Sequence, residues 1–225
     1  METRFQQELN QLKENLLKMA GLAERAISNA IEALVKRDTG LAEKTIAEDE
    51  KINKLELVID DWCLKLLALH QPMAADLRFI TSAMRINTEL ERIGDLSVNI
   101  AERVISLNQE SQLKPYIDIP RMAEITKGMV KDVLDAFVKG DADLARSVCE
   151  RDDQVDALND QVFWELITYM LADPKTITRA VHLIIVSRYL ERIADHATNI
   201  AEGVIFMVKA LVIKHHADAK EEETE

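Results

Sequence analysis

The sequence has few of the residues that form turns, sheets or cross-links. Its 225 residues include only 6 glycines, 4 prolines and 2 cysteines, and aromatic residues make up 4%. With so few turn-forming residues the secondary-structure elements must be long, and the abundance of alanine, leucine, glutamate and isoleucine favours helix over sheet. Cys63 and Cys149 lack the spacing of a metal site or a disulfide framework, which fits a reduced cytoplasmic setting.

Positive charge and long apolar runs are also scarce. There are 28 Lys and Arg residues against 40 Asp and Glu residues, giving a net charge of −12. Such a chain repels the phosphates of nucleic acids and anionic lipids, so neither is expected as a direct partner, whereas cations are. The N-terminus is polar, unlike a signal peptide, and the apolar stretch 204–213 is short and interrupted by Lys209. Direct membrane insertion is therefore not expected.

The chain contains an internal repeat. Residues 90–105 read LERIGDLSVNIAERVI and residues 190–205 read LERIADHATNIAEGVI, with 11 of 16 positions identical at an offset of 100. A weaker repeat at an offset of 103 has 7 identities over residues 35–57, among them Asp38 with Asp141 and Asp49 with Asp152. The two offsets place a three-residue length difference in the intervening loop.

The positions of glycine, proline and capping residues predict an all-α fold of two tandem three-helix bundles with six long helices. The predicted helices span about 3–36, 40–69, 76–108, 120–139, 141–171 and 176–212. We expect Asp118 to cap the fourth helix, with Pro120 in its first turn. The corresponding units are a first repeat at 1–110, a linker at 111–119, a second repeat at 120–212, and a charged, disordered tail at 213–225.

The repeated motif carries acidic residues on one side of a helix. At about 100° per residue, Glu91, Asp95 and Asn99 form a stripe opposite the apolar residues that face the core. Glu91 and Asp95 are neighbours at i and i+4, where like charges repel unless a cation lies between them. Carboxylates suit hard cations such as Mg²⁺, Mn²⁺ or iron, and open coordination positions would let several metals cluster.

The same pattern recurs in the second half, so the predicted metal ligands are Glu91, Asp95, Glu191 and Asp195. Weaker candidates are Asp49, Asp152, Asn99 and Asn199. A charged stripe is also what a solvated helix face looks like, so a metal-free scaffold stays open as an alternative. The site cannot depend on His196 in both halves, because its repeat counterpart is Leu96.

Catalysis is not expected. A di-iron oxidase or storage protein of the ferritin type would need Glu-x-x-His motifs inside a bundle, and no Glu here has a His three residues later. The sequence also lacks a Gly-rich phosphate-binding loop and a nucleophile–base arrangement. Metal storage or oxidation is therefore the weaker alternative.

The paired motifs Glu91-Arg92-Ile93-Gly94-Asp95 and Glu191-Arg192-Ile193-Ala194-Asp195, each continuing to Asn-Ile-Ala-Glu, resemble the signature of the PhoU family. The resemblance covers nearly the whole chain, including Gln71-Pro72 and Asp76-Leu77-Arg78. Ala194 replaces the usual glycine, and we expect its methyl group not to disturb the carboxylates.

The resemblance implies a negative regulator of phosphate uptake and of phosphate-starvation signalling. Members of the family bind multinuclear iron or zinc clusters through these acidic motifs and often form homodimers. The implied partners are the ATPase subunit of the phosphate ABC transporter and a sensor histidine kinase. Both act at the inner membrane, so a cytoplasmic protein recruited there through its partners is expected.

Overall fold

The computed structural model describes residues 4–210, which are helical almost throughout. Seven helices, with a short 3₁₀ turn at Pro174–Thr176 before the last one, make up this part of the chain. They are α1 (Arg4–Lys36), α2 (Thr39–Glu48), α3 (Glu50–His70), α4 (Ala74–Leu107), α5 (Asp118–Lys139), α6 (Ala142–Ala172) and α7 (Ile177–Lys209).

The retained aspartates of the weaker repeat cap helices. The side chain of Asp38 accepts a hydrogen bond from the backbone N–H of Leu41 at 2.9 Å, and Asp141 accepts one from Leu144 at the same distance. Such bonds satisfy backbone donors that have no partner within the helix. The residue before Asp141 is Gly140, whose φ of 65° ends α5 in the left-handed conformation.

Three predicted boundaries differ from the structure. The second predicted helix is two helices, α2 and α3, separated only by Asp49, whose own backbone is helical (φ −60°, ψ −31°). The two form one long rod, so the fold of six long helices in two repeated units is confirmed. Asp118 does not cap α5 but is its first residue, with Ile117 before it. The last helix ends at Lys209 rather than Val212, and the predicted tail at 213–225 lies outside the described residues.

The two halves meet along α4 and α7, which run antiparallel at the centre of the molecule. Near one end, Arg78 Nε donates to the carbonyl of Met207 at 3.3 Å. In the middle, His196 Nδ1 lies 2.6 Å from Glu89 Oε2. The apolar sides of both helices are buried in one continuous core that also includes α1 and α5. Within residues 4–210, no helix has an apolar stretch that would cross a bilayer.

Candidate metal site on two acidic faces

The acidic motifs lie on α4 and α7, and each faces the neighbouring helix of its own half. On α4, Glu91 is half-buried and Asp95, one turn later, is exposed. Two acidic side chains of the α2–α3 rod, Asp49 and Glu56, are close enough to repel Glu91 electrostatically. Asp60, one turn after Glu56, accepts a hydrogen bond from the amide of Asn87 on α4 at 2.9 Å. The first acidic face is defined as Asp49, Glu56, Asp60, Glu91 and Asp95.

Burial and mutual repulsion disfavour the charged forms of these carboxylates. Burial is the main cause of the raised pKa of Glu91, and the charges of Asp95, Glu56 and Asp49 raise that pKa further. The pKa of Asp49 is raised by burial and by Asp95, against a hydrogen bond from Asn53 that lowers it. The pKa of Glu56 is raised by burial, Asp60 and Asp95. The face thus holds negative charge at an energetic cost that a bound cation would remove.

The second half has the same arrangement between α6 and α7. Glu191 is half-buried, and burial raises its pKa, helped by Asp195 and Asp156 and opposed by Arg188. Burial also raises the pKa of Asp195 and of Asp156, and the pKa of Asp156 is raised further by the charge of Asp195. The second acidic face is defined as Asp156, Glu191 and Asp195, together with Asp152 as the repeat counterpart of Asp49.

The donor chemistry of both faces fits a hard or borderline cation. Buried carboxylate oxygens on both faces, Asp49 Oδ1 and Glu191 Oε2, accept no hydrogen bond in the structure, although Arg188 Nε lies 3.8 Å from Glu191 Oε2. Leaving a buried carboxylate oxygen unsatisfied is costly, and a cation is the partner that would satisfy it. Within residues 4–210, however, no three His, Cys, Asp or Glu side chains are grouped as one ion would need them. The ligand set therefore stays a prediction.

The two asparagine candidates occupy different surroundings. Asn99 is half-buried on α4. Asn199 donates its amide to Glu89 Oε2 at 3.3 Å, so it lies at the seam between the halves rather than among the carboxylates of its own half. Burial alone would raise the pKa of Glu89, but hydrogen bonds from His196 and Asn199 outweigh it and lower that pKa. His196 therefore links α7 to α4 of the other half. Its repeat counterpart, Leu96, has no ring nitrogen and cannot make this contact.

The sequence interpretation missed three members of these faces: Glu56, Asp60 and Asp156. The information was present, because Glu56 with Asp60 and Asp152 with Asp156 have the same i, i+4 spacing as Glu91 with Asp95. A helical wheel treats one helix at a time, so it did not show that a second acidic stripe lies opposite the first. The acids also do not point simply to solvent, as the wheel predicted, but line a shallow contact between two helices.

The expectation that the methyl group of Ala194 leaves the carboxylates undisturbed stays a prediction, and it does not extend to Gly94 in the first half. A Cβ atom on Gly94 would lie 2.9 Å from Ile52 Cδ1, which would have to shift, and 3.0 Å from Asp49 Oδ1, a tight contact. At the repeat offset of 103, the counterpart of Ile52 is Val155, which is one methylene shorter. Ala194 is fully buried, and we expect the smaller counterpart of Ile52 to leave room for its methyl group.

Gly94→Ala tests whether the size of residue 52 limits the size of the side chain that residue 94 can carry. Overpacking against the buried Ile52 costs about 1–3 kcal/mol, against a gain of about 1 kcal/mol in helix propensity. Gly203→Ala is the matched control, because no heavy atom lies within 4 Å of its added Cβ. We expect Gly94→Ala to be less stable than Gly203→Ala by about 1–3 kcal/mol in urea unfolding. Adding Ile52→Val should recover most of that difference, and equal stabilities for the two alanine variants would contradict such a limit.

Comparison with known proteins agrees with this architecture. The PhoU domain matches this chain twice, at residues 16–104 and 119–204, once in each half. The chain belongs to the PhoU family. A protein from Aquifex aeolicus, named as a homologue of phosphate-specific transport system accessory protein PhoU, is 47% identical over 208 residues, covering 92% of this chain and 94% of its own. A PhoU homologue of the same name from Pseudomonas putida is 42% identical over 212 residues, with 94% and 83% covered.

Two solved PhoU structures have the same fold. PhoU from Pseudomonas aeruginosa superposes with a TM-score of 0.89 at 41% identity, covering 92% of this chain and all of that one. A phosphate transport system regulatory protein PhoU from Streptococcus pneumoniae gives 0.87 at 30% identity, covering 94% and 100%. The agreement extends over both PhoU repeats and the connection between them.

Proposed function

We propose that this PhoU protein is a non-catalytic regulator that damps phosphate uptake and phosphate-starvation signalling when phosphate is plentiful. The observation that carries the proposal is the double match to the PhoU domain. It is supported by relatives named as homologues of phosphate-specific transport system accessory protein PhoU, whose matches cover 94% and 92% of this chain. The absence of a recognisable catalytic arrangement in the sequence is consistent with an accessory role.

The proposed mechanism is that of a helical adaptor. Helices of about 30 residues, roughly 45 Å long, offer extended faces for docking. We assign one docking partner as the ATPase subunit of the phosphate ABC transporter and the other as a sensor histidine kinase. Recruitment to the inner membrane then occurs through these proteins, and the adaptor acts as a homodimer.

The acidic faces are the proposed sites of an iron or zinc cluster, with manganese or magnesium as further possibilities. Glu91, Asp95, Glu191 and Asp195 would be the principal ligands. Asp49 and Asp152 are weaker candidates from the sequence, and we add Glu56 and Asp156 because their charges act on Glu91 and Glu191. A bound metal would supply positive charge that relieves the repulsion among these carboxylates. In each half the carboxylates would hold this positive charge at the contact between two neighbouring helices.

A complementation experiment tests the regulatory role. In a bacterium that lacks its own PhoU protein, we expect this chain to return both phosphate uptake and a phosphate-starvation reporter to the level of the parent strain in phosphate-rich medium. A variant in which the four principal ligands are replaced by amides, expressed in the same strain, distinguishes a metal-dependent regulator from a metal-free scaffold. Loss of complementation supports a metal-dependent regulator, and full complementation supports a metal-free scaffold. No change in uptake or reporter despite normal expression of the unaltered chain would overturn the regulatory role.

A further inference from the structure

Two arginine side chains and a histidine lie at the end of the α4–α7 seam farthest from Arg78. Arg103 of α4 and His182 of α7 are both half-buried. The pKa of His182 is lowered by burial, the main cause, and by the charge of Arg103, against the charge of Glu110, which raises it. Two of their nitrogen atoms, Arg103 Nε and His182 Nδ1, are buried without a hydrogen-bond partner. Unsatisfied buried polar atoms are uncommon in folded proteins and disfavoured when they belong to a charged group.

Arg179, one helical turn before His182, adds a second guanidinium. Its Nη1 donates to the backbone oxygen and to Oγ of Ser111, at 3.0 and 3.1 Å, and its Nε lies 3.4 Å from Glu110 Oε2. These contacts fasten the connector between the two halves. Arg103 makes no corresponding ion pair among residues 4–210, although the protein carries a large excess of carboxylates.

The fold itself does not require these cations, as the repeat shows. At the offset of 100, Gly203 takes the place of Arg103, Ser82 that of His182 and Phe79 that of Arg179. These three equivalent positions are therefore neutral at the opposite end of the same antiparallel seam, where Phe79 stacks on Phe137 and the neighbouring Arg78 donates to the carbonyl of Met207. A position near the C-terminus of α4 favours a cation by itself, but such side chains normally keep their donors in solvent. The position near the helix C-terminus therefore does not explain why the Nε of Arg103 is buried without a hydrogen-bond partner.

We propose that Arg103, His182 and Arg179 form a binding site for a tetrahedral oxyanion of the phosphate or sulfate type. A guanidinium presents several N–H donors in a planar fork that matches the oxygens of such an anion. The anion would satisfy both orphaned nitrogen atoms and balance the charge of Arg103. The surrounding acidic surface repels anions in general, so binding would be confined to this end of the seam. The site follows from these contacts alone and does not depend on the regulatory function proposed above.

Binding is tested on the full-length, untagged protein after removal of metals with a chelator. Isothermal titration with potassium phosphate, potassium sulfate and potassium chloride is carried out at constant ionic strength. We expect saturable binding of phosphate and sulfate but not of chloride. Two-dimensional NMR should show the ring signals of His182 moving during the phosphate titration, while those of His70, which is paired with Glu8, stay in place.

Three variants assign the binding to this cluster. Arg103→Met keeps the apolar stem and should weaken phosphate binding at least about tenfold. Arg103→Lys keeps the charge without the fork and should give an intermediate affinity, which preserves the test if the methionine variant unfolds. Arg85→Met is the matched control, because it removes the same charge from an exposed position about 27 Å away along α4 and should bind like the unaltered protein.

The proposal is overturned if no saturable binding is detected, or if chloride competes as well as phosphate, which would indicate an adventitious ion only. It is overturned equally if both Arg103 variants bind phosphate normally while the signals of His182 remain unchanged. Similar affinities for phosphate and sulfate support a general oxyanion site. A strong preference for phosphate supports a site for phosphate itself.

Discussion

Protein in which Glu91, Asp95, Glu191 and Asp195 are replaced by the corresponding amides is expected to contain no stoichiometric iron or zinc, whereas the unaltered protein contains it. An amide keeps the size of the side chain but loses the charge, and a neutral carbonyl oxygen is a much weaker ligand than a carboxylate. Elemental analysis of untagged protein purified without chelators gives the metal content. The tail contains His215 and His216, so affinity tags and nickel columns are best avoided.

The same substitutions should raise the melting temperature of the metal-free protein at neutral pH. Glu91, Glu191 and Asp195 have folded-state pKa values raised mainly by burial. A carboxylate with a raised folded pKa binds its proton more tightly in the folded state, so its charged form destabilises the fold above that pKa. The advantage of the amides is therefore present at neutral pH. It shrinks as the pH falls through the raised folded-state pKa values and is gone once the pH is well below the unfolded-state values of about 4, where the carboxylates are neutral in both states.

This second measurement shows that metal was lost through its ligands and not through unfolding. Removing such unfavourable charge typically contributes on the order of 1 kcal/mol, or about 2–4 °C for a chain of this size. A control variant carries the same loss of charge at four exposed positions, Glu14, Glu43, Glu124 and Glu150. It should keep its metal. Unchanged metal content in the amide variant would refute the metal assignment, and a lower melting temperature would refute the electrostatic account of the faces.

Phe137→Ala is expected to lower the free energy of unfolding by about 3–5 kcal/mol. Phe137 is only 1% exposed and stacks on Phe79 of the first half, with ring centroids 5.0 Å apart. The substitution removes a large buried side chain at a point where the halves contact each other, and the cavity adds to the loss. Urea unfolding followed by circular dichroism measures the change.

The fluorescence of Trp62 and Trp164 reports on the first and second half separately, one tryptophan being replaced by phenylalanine in each measurement. Both signals should change in one transition in the unaltered protein, because α4 and α7 share one core. Phe163→Ala is the matched control, since that ring is 38% exposed, and it should cost clearly less than Phe137→Ala. Circular dichroism gives its stability, because Phe163 lies 5.4 Å from the ring of Trp164 and its loss would change that fluorescence directly. Comparable losses from the two phenylalanines would contradict a shared core that depends on Phe137.

Local sequence determined much of the fold. Asp38 and Asp141 begin helices, Gly140 ends one, and Pro174 follows another, each for a backbone reason that operates within a few residues. The repeat then predicted that both halves have the same architecture. The break at Asp49 was not predictable in this way, because its backbone remains helical and no proline or glycine marks it.

The candidate site was only partly predictable because it depends on two helices at once. The spacing of Glu91 and Asp95 gave one side of the first acidic face. Which residues of the α2–α3 rod lie opposite depends on how two helices pack, so Glu56 was missed. The cationic cluster was missed for the same reason, since Arg103 and His182 are 79 positions apart in the sequence and meet only across the seam.

Gly94 lies against Ile52, and the repeat assigns Ala194 and Val155 to the equivalent positions, which limits how the two repeats can be recombined. Copying the α7 motif onto α4 would bring a methyl group against Ile52, whereas copying the facing segment with it would also bring the shorter Val155. The smallest transferable module is therefore a pair of facing helices rather than a single motif. Chimeras of PhoU proteins are best joined in the connections outside such a pair, so that each acidic face is inherited whole.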